Sequence, residues 1–500
     1  MSGVLAARRV LAARRDEATL AVGVVAAVLV SAVARIDPRI LAGLIGLVFL
    51  AGVVVFFRRR PEVLAVVVVV GFPIQSALKF YVSPYFGPAK DAVVAAAALA
   101  LGWEVLSRWR ARLPRREVDP WLVTTALMLM LVYLVNVAGS HGSSWANGAR
   151  LVVEATLLFL VGYLLPRDAG RVWRWTIVAL IAIGCFESVL GGLQQLVGTS
   201  RLVSQFGYQF GEQVRTTSSG QLRSFGTFDD PFNYATVVLL SAAAAVAYVR
   251  PWRRAALITA LLALGVVSSL DRTDIAILVI VLVVLASRRG QGIATSLGAC
   301  AVAVAGFAYF ALAKVSVASA TGQHGSFLLS LNGRTSTWGA VLDKPQAYLG
   351  GRGVGDLGSG LARSNAGAIV AVGHFNPGAP PPAANNANLS FLDSTYLSTV
   401  ADIGLPGLML VVLFLAQLGL AARRLIRTAP VAGLTAGLMT MVTVLDGVTR
   451  SSLTAYPFGF VALFAIGASL GAAERGGRVG GPGRVGGTGD GGRARADVWI

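Results

Sequence analysis

Charge is what this sequence has least of. Only 13% of its 500 residues are Asp, Glu, Lys or Arg, about half the roughly 25% of a soluble globular chain. That deficit excludes an ordinary water-solvated domain. Acid is scarcer than base, with 24 Asp and Glu against 43 Lys and Arg, for a formal net charge of +19. In a soluble protein such an excess would point to nucleic acid. Here the basic residues fall in short clusters between apolar runs, so membrane topology is the simpler cause and no nucleic-acid partner is implied. There are two cysteines, Cys185 and Cys300, both inside apolar segments, which leaves no basis for a disulfide framework or a cysteine metal site. The three histidines, His141, His324 and His374, lie too far apart in sequence to suggest metal-ligand spacing. His374 could serve as an acid or base, but a solvated loop histidine is the preferred reading.

What the chain has in abundance is apolar sequence: 55% of residues are hydrophobic and the mean hydropathy is +0.69. A bilayer core takes about 20 apolar residues per helix. Suitable runs fall near 18–34, 39–57, 63–80, 90–107, 120–137, 151–166, 172–197, 232–249, 255–270, 275–287, 292–313, 395–421, 430–447 and 453–473. The expected fold is all-α: a polytopic membrane helix bundle of about fourteen transmembrane helices, because backbone groups in lipid must be satisfied within each segment. The first run follows Arg8, Arg9, Arg14 and Arg15 and ends in Ser31-Ala32-Val33-Ala34. It reads as a first transmembrane helix, with a cleaved signal peptide as the alternative.

Lys and Arg orient the bundle. With the N-terminus in the cytoplasm, 28 of the 43 basic residues fall in the cytoplasmic segments, which are otherwise short. The expected organisation is N-terminal transmembrane helices over 1–197, an extracytoplasmic loop over 198–230, and central helices with a short hairpin over 231–313. A large extracytoplasmic loop follows over 314–394, then C-terminal helices over 395–473 and a disordered cytoplasmic tail over 474–500. Both termini are then cytoplasmic. The larger loop is rich in Gly, Asn, Ser and Pro, and loops of such length are usually functional or disordered.

Both loops are poor in acid and supplied with arginine: Arg201, Arg215 and Arg223 in the first, Arg334, Arg352 and Arg363 in the second. Guanidinium forks grip phosphate and pyrophosphate bidentately, although for any single arginine solvated loop charge is the commoner state. Arg272 is harder to dismiss. It lies in the turn Asp271-Arg272-Thr273-Asp274, whose flanking arms, 255–270 and 275–287, have 16 and 13 residues. Such arms reach only about 20–24 Å, short of a roughly 30 Å hydrocarbon core. Either the bilayer thins there or the charged quartet lines a polar cavity, which is the favoured reading. Glu187 is a second intramembrane charge, expected to line a cavity or to pair with an arginine. The Asp229-Asp230 pair before Pro231 reads as a helix cap in preference to a cation site.

Four segments, in order, resemble the O-antigen ligase/polymerase superfamily. The first runs from Arg215 to Gly226 with ten residues between, then through Asn233 into the next helix. The second is Ser269-Leu270-Asp271-Arg272-Thr273. The third joins Arg334 and Trp338 to Leu349-Gly350-Gly351-Arg352-Gly353-Val354-Gly355. The fourth is Asp393-Ser394-Thr395-Tyr396-Leu397 with Ala401-Asp402-Ile403-Gly404-Leu405-Pro406-Gly407. The resemblance covers about 215–410. It implies an enzyme without cofactor or metal that transfers undecaprenyl-pyrophosphate-linked glycan at the outer face of the bacterial plasma membrane. Arg215, Arg223, Arg272 and Arg334 would hold the pyrophosphate, with Arg272 also catalytic. Asp393 is the candidate general base, with a helix N-cap as its equal alternative. Where the ligases carry a histidine this chain has Asp393, which looks more like an exopolysaccharide or O-antigen polymerase. Membrane lipid and a chain-length regulator or flippase are the implied partners. Glycan transfer to a lipid, protein or wall acceptor is the runner-up activity, and transport of lipid-linked saccharide the rival of a different class, against which stands the lack of an internal repeat.

Overall fold

The computed structural model describes residues 38–83, 86–111, 118–136, 142–166, 168–208, 214–217, 220–286, 338, 341–342, 345–354 and 394–479. The chain divides into two units, 1–59 and 60–500. In the first, α1 spans Pro38–Arg59. The second is helical almost throughout its described length. Its elements are α2 (Pro61–Tyr81), α3 (Ala89–Arg110), α4 (Pro120–Val135), α5 (Gly142–Leu164), α6 (Ala169–Phe206), a ribbon of β1 (Arg215–Thr216) and β2 (Leu222–Arg223), α7 (Pro231–Tyr248), α8 (Trp252–Ser268), α9 (Arg272–Ala286), α10 (Thr395–Leu425), α11 (Pro430–Thr449) and α12 (Phe458–Val479).

Among the described residues, seven helices are long and apolar enough to cross a membrane: α2, α6, α7, α10, α11 and most of α5 and α12. The expected runs 18–34 and 292–313 lie outside the described residues. Three boundaries differ from expectation. Helix α5 begins at Gly142, nine residues before the apolar run. Helix α6 carries on to Phe206 after a break at Gly198 (φ 79°, ψ 161°), so the expected loop from 198 opens with a helical stub. Helix α12 runs to Val479, past the expected start of the tail. It is anchored there because Tyr163 donates its hydroxyl to Glu474 at 2.6 Å and the Arg475 guanidinium binds the Pro166 and Tyr163 carbonyls. Buried charge with good partners extends a helix beyond its apolar sequence.

Hydrogen bonds and ion pairs show how the second unit alternates. The start of α2 meets the start of α6 through Glu62 and Arg171 (3.3 Å). The start of α4 meets the end of α10 through Asp119 and Arg424 (3.5 Å). These ends lie with the end of α5, through Asp119 N and the Tyr163 hydroxyl (2.9 Å). The opposite end gathers the end of α6, the ribbon, the starts of α7, α9 and α10, and the ends of α8 and α11. The core between is made of small and branched side chains. Helix α7 is buried along nearly its whole length, and α5 and α12 approach so closely that a Cβ at Gly467 would lie 2.3 Å from the Phe159 carbonyl. Small residues at such a crossing let helix backbones meet, the usual packing between helices in lipid.

Candidate functional site

The second strand of the ribbon and the turn after it are held by glutamines. Gln194 accepts the amides of Phe225 (3.0 Å) and Gly226 (2.9 Å) and donates to the Gly226 carbonyl (2.8 Å). Gln195 reaches the Leu222 carbonyl (2.8 Å), the Ser224 hydroxyl (2.9 Å) and the Ser268 carbonyl (2.9 Å), so one side chain ties the ribbon to the end of α8. Beneath it, Leu202, Val214, Leu222 and Phe225 form a small apolar core. Gly226 closes the turn at φ 57°, where a Cβ would sit 1.9 Å from Oε2 of Glu187. That explains the glycine: the fully buried Glu187 needs the space to accept the Thr227 amide (2.9 Å) and hydroxyl. Its partner is therefore a turn, not the arginine that was one of its expected partners.

With the ribbon so held, Arg215 stands directly opposite Arg223 in the antiparallel pair. Like charges facing across strands repel. Both guanidinium groups nevertheless lie against one ring, that of Phe232 in the first turn of α7, at 5.7 and 5.4 Å from its centroid. A third, Arg450, lies 4.9 Å from the same centroid. Asp230 caps α7 by accepting the Phe232 amide at 2.8 Å, with Pro231 in the first turn, as the sequence predicts.

Arg450 follows α11 and is the hub of the region. It donates to the Thr236 hydroxyl (2.6 Å) and the Phe232 carbonyl (3.2 Å). It is ion-paired with Asp274 (2.9 Å), Asp446 (3.2 Å) and, in direct contact, Asp271. Asp446 also accepts the Ser452 hydroxyl at 2.6 Å. Asp274 is 0% exposed, Asp446 1% and Arg450 9%. Burial pushes the guanidinium down to about 9, with Asp230 opposing and Arg223 adding to the shift, so it stays protonated at neutral pH. The short hairpin thus carries the carboxylates of Asp271 and Asp274 inside protein, paired with a cation. Arg272 is half-buried beside them at the start of α9. The Arg450 carbonyl in turn accepts the amide (2.8 Å) and hydroxyl (2.9 Å) of Thr395, the first residue of α10.

The glycine-rich segment after Tyr348 docks elsewhere on α10. Helix α10 breaks at Gly404 (φ 74°, ψ −170°). Across the break, Arg352 N binds the Ala401 carbonyl (2.8 Å), Gly353 N the Asp402 carbonyl (3.0 Å), and Leu405 N the Leu349 carbonyl (3.0 Å). A Cβ on Gly351 would be 2.6 Å from the Asp402 carbonyl, and one on Gly404 would be 2.4 Å from the Leu349 carbonyl. Two glycines let two backbones touch. The Arg352 side chain stacks over Tyr348, 4.9 Å from its centroid.

No protein-family model and no curated protein matches this chain. Its chemistry must be read from the residues themselves. Of the predicted site residues, the structure brings Arg215 and Arg223 together on Phe232. Arg272 stands in the hairpin that Arg450 tethers. Arg334 and Asp393 lie outside the described residues, as do His141, His324 and His374. Ser394 is the N-cap of α10, so the capping role considered for Asp393 belongs to its neighbour. Sequence reasoning missed Arg450, Asp446 and the Gln194-Gln195 pair. Asp446 and Arg450 are four apart at the end of an apolar run, a spacing that signals a local pair. Nothing local reveals the distant partners.

Proposed function

We propose that this chain is a membrane glycan polymerase that transfers lipid-linked oligosaccharide onto a growing glycan at the outer face of a bacterial plasma membrane. The observation that carries the reading is the facing Arg215–Arg223 pair on Phe232. Two guanidinium groups set side by side on one ring present paired forks, and pyrophosphate has the oxygens to bridge them. The bundle would span the bilayer about fourteen times, with both termini cytoplasmic and the loops 198–230 and 314–394 outside.

The reaction follows from that seat. The donor is a glycan joined through its anomeric carbon to undecaprenyl pyrophosphate. A hydroxyl oxygen of the acceptor glycan forms a bond to that carbon while the carbon–oxygen bond to pyrophosphate breaks, and the electron pair leaves on the pyrophosphate oxygen. Arg215, Arg223, Arg272 and Arg334 hold that oxygen's growing charge. Asp393 takes the hydroxyl proton as general base. No metal is required, because the arginines supply the positive charge.

The test is a proteoliposome assay with purified full-length protein and a synthetic undecaprenyl-pyrophosphate oligosaccharide, scored by product length. Lengthening of lipid-linked chains identifies a polymerase; movement onto a different acceptor would make it a ligase. Arg215→Ala and Arg223→Ala should each slow transfer by about 100-fold, the order seen when one charge-stabilising donor is removed. Unchanged product from the folded double variant would sink the proposal.

A further inference from the structure

At the end of the bundle opposite the arginine ribbon, α6 and the last turn of α7 flank an open groove of about 340 Å³, within the roughly 300–1,000 Å³ of small-ligand sites. Its walls are Arg171, Arg174, Trp175 and Val178 from α6 and Tyr248 from the last turn of α7. The four α6 residues fall at i, i+3, i+4 and i+7, so they form one stripe along the helix. Behind them Trp173 packs edge-on against Tyr248 at 5.5 Å, which holds the tyrosine ring in the wall.

The stripe changes character along its length. Arg171 and Arg174 occupy the first turns of an apolar, membrane-length helix, while Trp175 and Val178 beyond them are 48% and 47% exposed. Arg171 is shared with Glu62 at 3.3 Å, and Glu62 also meets Arg60 at 3.5 Å. Arg174 has no hydrogen-bond or ion-pair partner among the described residues. Asp168 is engaged in capping α6 through the Arg171 amide at 2.9 Å. Of the described residues just named, Arg60, Arg171 and Arg174 outnumber Glu62 and Asp168, so positive charge is in surplus where an apolar surface begins.

We infer that this groove binds an anionic phospholipid. Its phosphodiester would sit on Arg171 and Arg174, its headgroup against Tyr248, and its acyl chain along Trp175 and Val178. A guanidinium pair suits a phosphate. An indole at the boundary of an apolar span marks headgroup depth, and basic pockets between helices at that depth recognise acidic headgroups. A soluble phosphate would use the arginines and leave the exposed Trp175–Val178 surface without a role. The site is independent of the transfer reaction.

The experiment titrates the purified full-length chain in detergent with phosphatidylglycerol and with phosphatidylcholine of identical acyl chains, counting bound lipid by native mass spectrometry. The wild type should retain phosphatidylglycerol preferentially. Arg174→Ala should weaken that binding about fivefold and the Arg171→Ala/Arg174→Ala double variant about 25-fold, whereas Arg174→Lys should keep most of it. Thermal unfolding without lipid, run on each variant, identifies any that fails to fold, and Arg174→Gln replaces it. Equal retention of the two lipids, or a double variant that binds as the wild type does, would overturn the inference. So would full displacement of the lipid by glycerol phosphate, which would mark a soluble-phosphate site.

Discussion

Replacing Arg450 by alanine is the sharpest perturbation available. The substitution strips the guanidinium from between Asp271, Asp274 and Asp446, which are 7%, 0% and 1% exposed, and from the Thr236 hydroxyl and Phe232 carbonyl. Removing one partner of a buried ion pair costs about 3–5 kcal/mol, because the other charge stays buried without compensation. Three carboxylates round one cation place this variant at the upper end of that range. At roughly 2 °C per kcal/mol for a large domain, the apparent unfolding temperature in detergent should fall by about 10 °C. Arg450→Lys keeps the charge but loses the fork that spans Asp271 and Asp274, so an intermediate fall is expected. Asp274→Asn alone should destabilise the protein, yet in the Arg450→Ala background it should recover stability, since it deletes the most buried unpaired charge. A double-mutant cycle should therefore return a coupling above about 1 kcal/mol. If Arg450→Ala unfolds within a degree of the wild type, or the coupling is near zero, the network does not hold the hairpin.

Gly226→Ala should cost about 1–3 kcal/mol, from a left-handed φ of 57° and the collision with Glu187, read as a lower unfolding temperature together with lost transfer. Glu187→Ala should lose about 1–3 kcal/mol by orphaning the Thr227 amide, while Glu187→Gln, which keeps an acceptor oxygen, should lose less; equal losses would contradict the turn-holding role. Gly404→Ala meets the Leu349 carbonyl at 2.4 Å and adopts a strained φ of 74°. It should free the 349–353 segment, detectable as faster amide exchange at Arg352 and Gly353 and faster proteolysis there.

Much of the helical framework is legible in the sequence because lipid forces each spanning segment to satisfy its own backbone, so long apolar runs map onto helices one by one. The runs 232–249, 255–270, 275–287 and 430–447 coincide closely with α7, α8, α9 and α11. Boundaries fail where polar groups find partners at a distance, as Glu474 does with Tyr163, because hydropathy scores a residue and not its neighbour. The site divides the same way. Arginine content, the spacing of Arg215 to Gly226 and the short hairpin at Arg272 were visible, since each is local. The strand and turn that carry Arg223 are fastened by Gln194, Gln195 and Glu187, from a helix lying before the loop. The carboxylates of the hairpin are bridged by Arg450, 176 residues beyond Asp274 in the numbering. By itself the sequence determined that this is a bundle of apolar helices carrying arginine-rich connections. Only the tertiary structure decided which arginines share the Phe232 ring and which one is locked among buried carboxylates. That depends on distances of about 3 Å between segments far apart in the chain, and no periodicity encodes it.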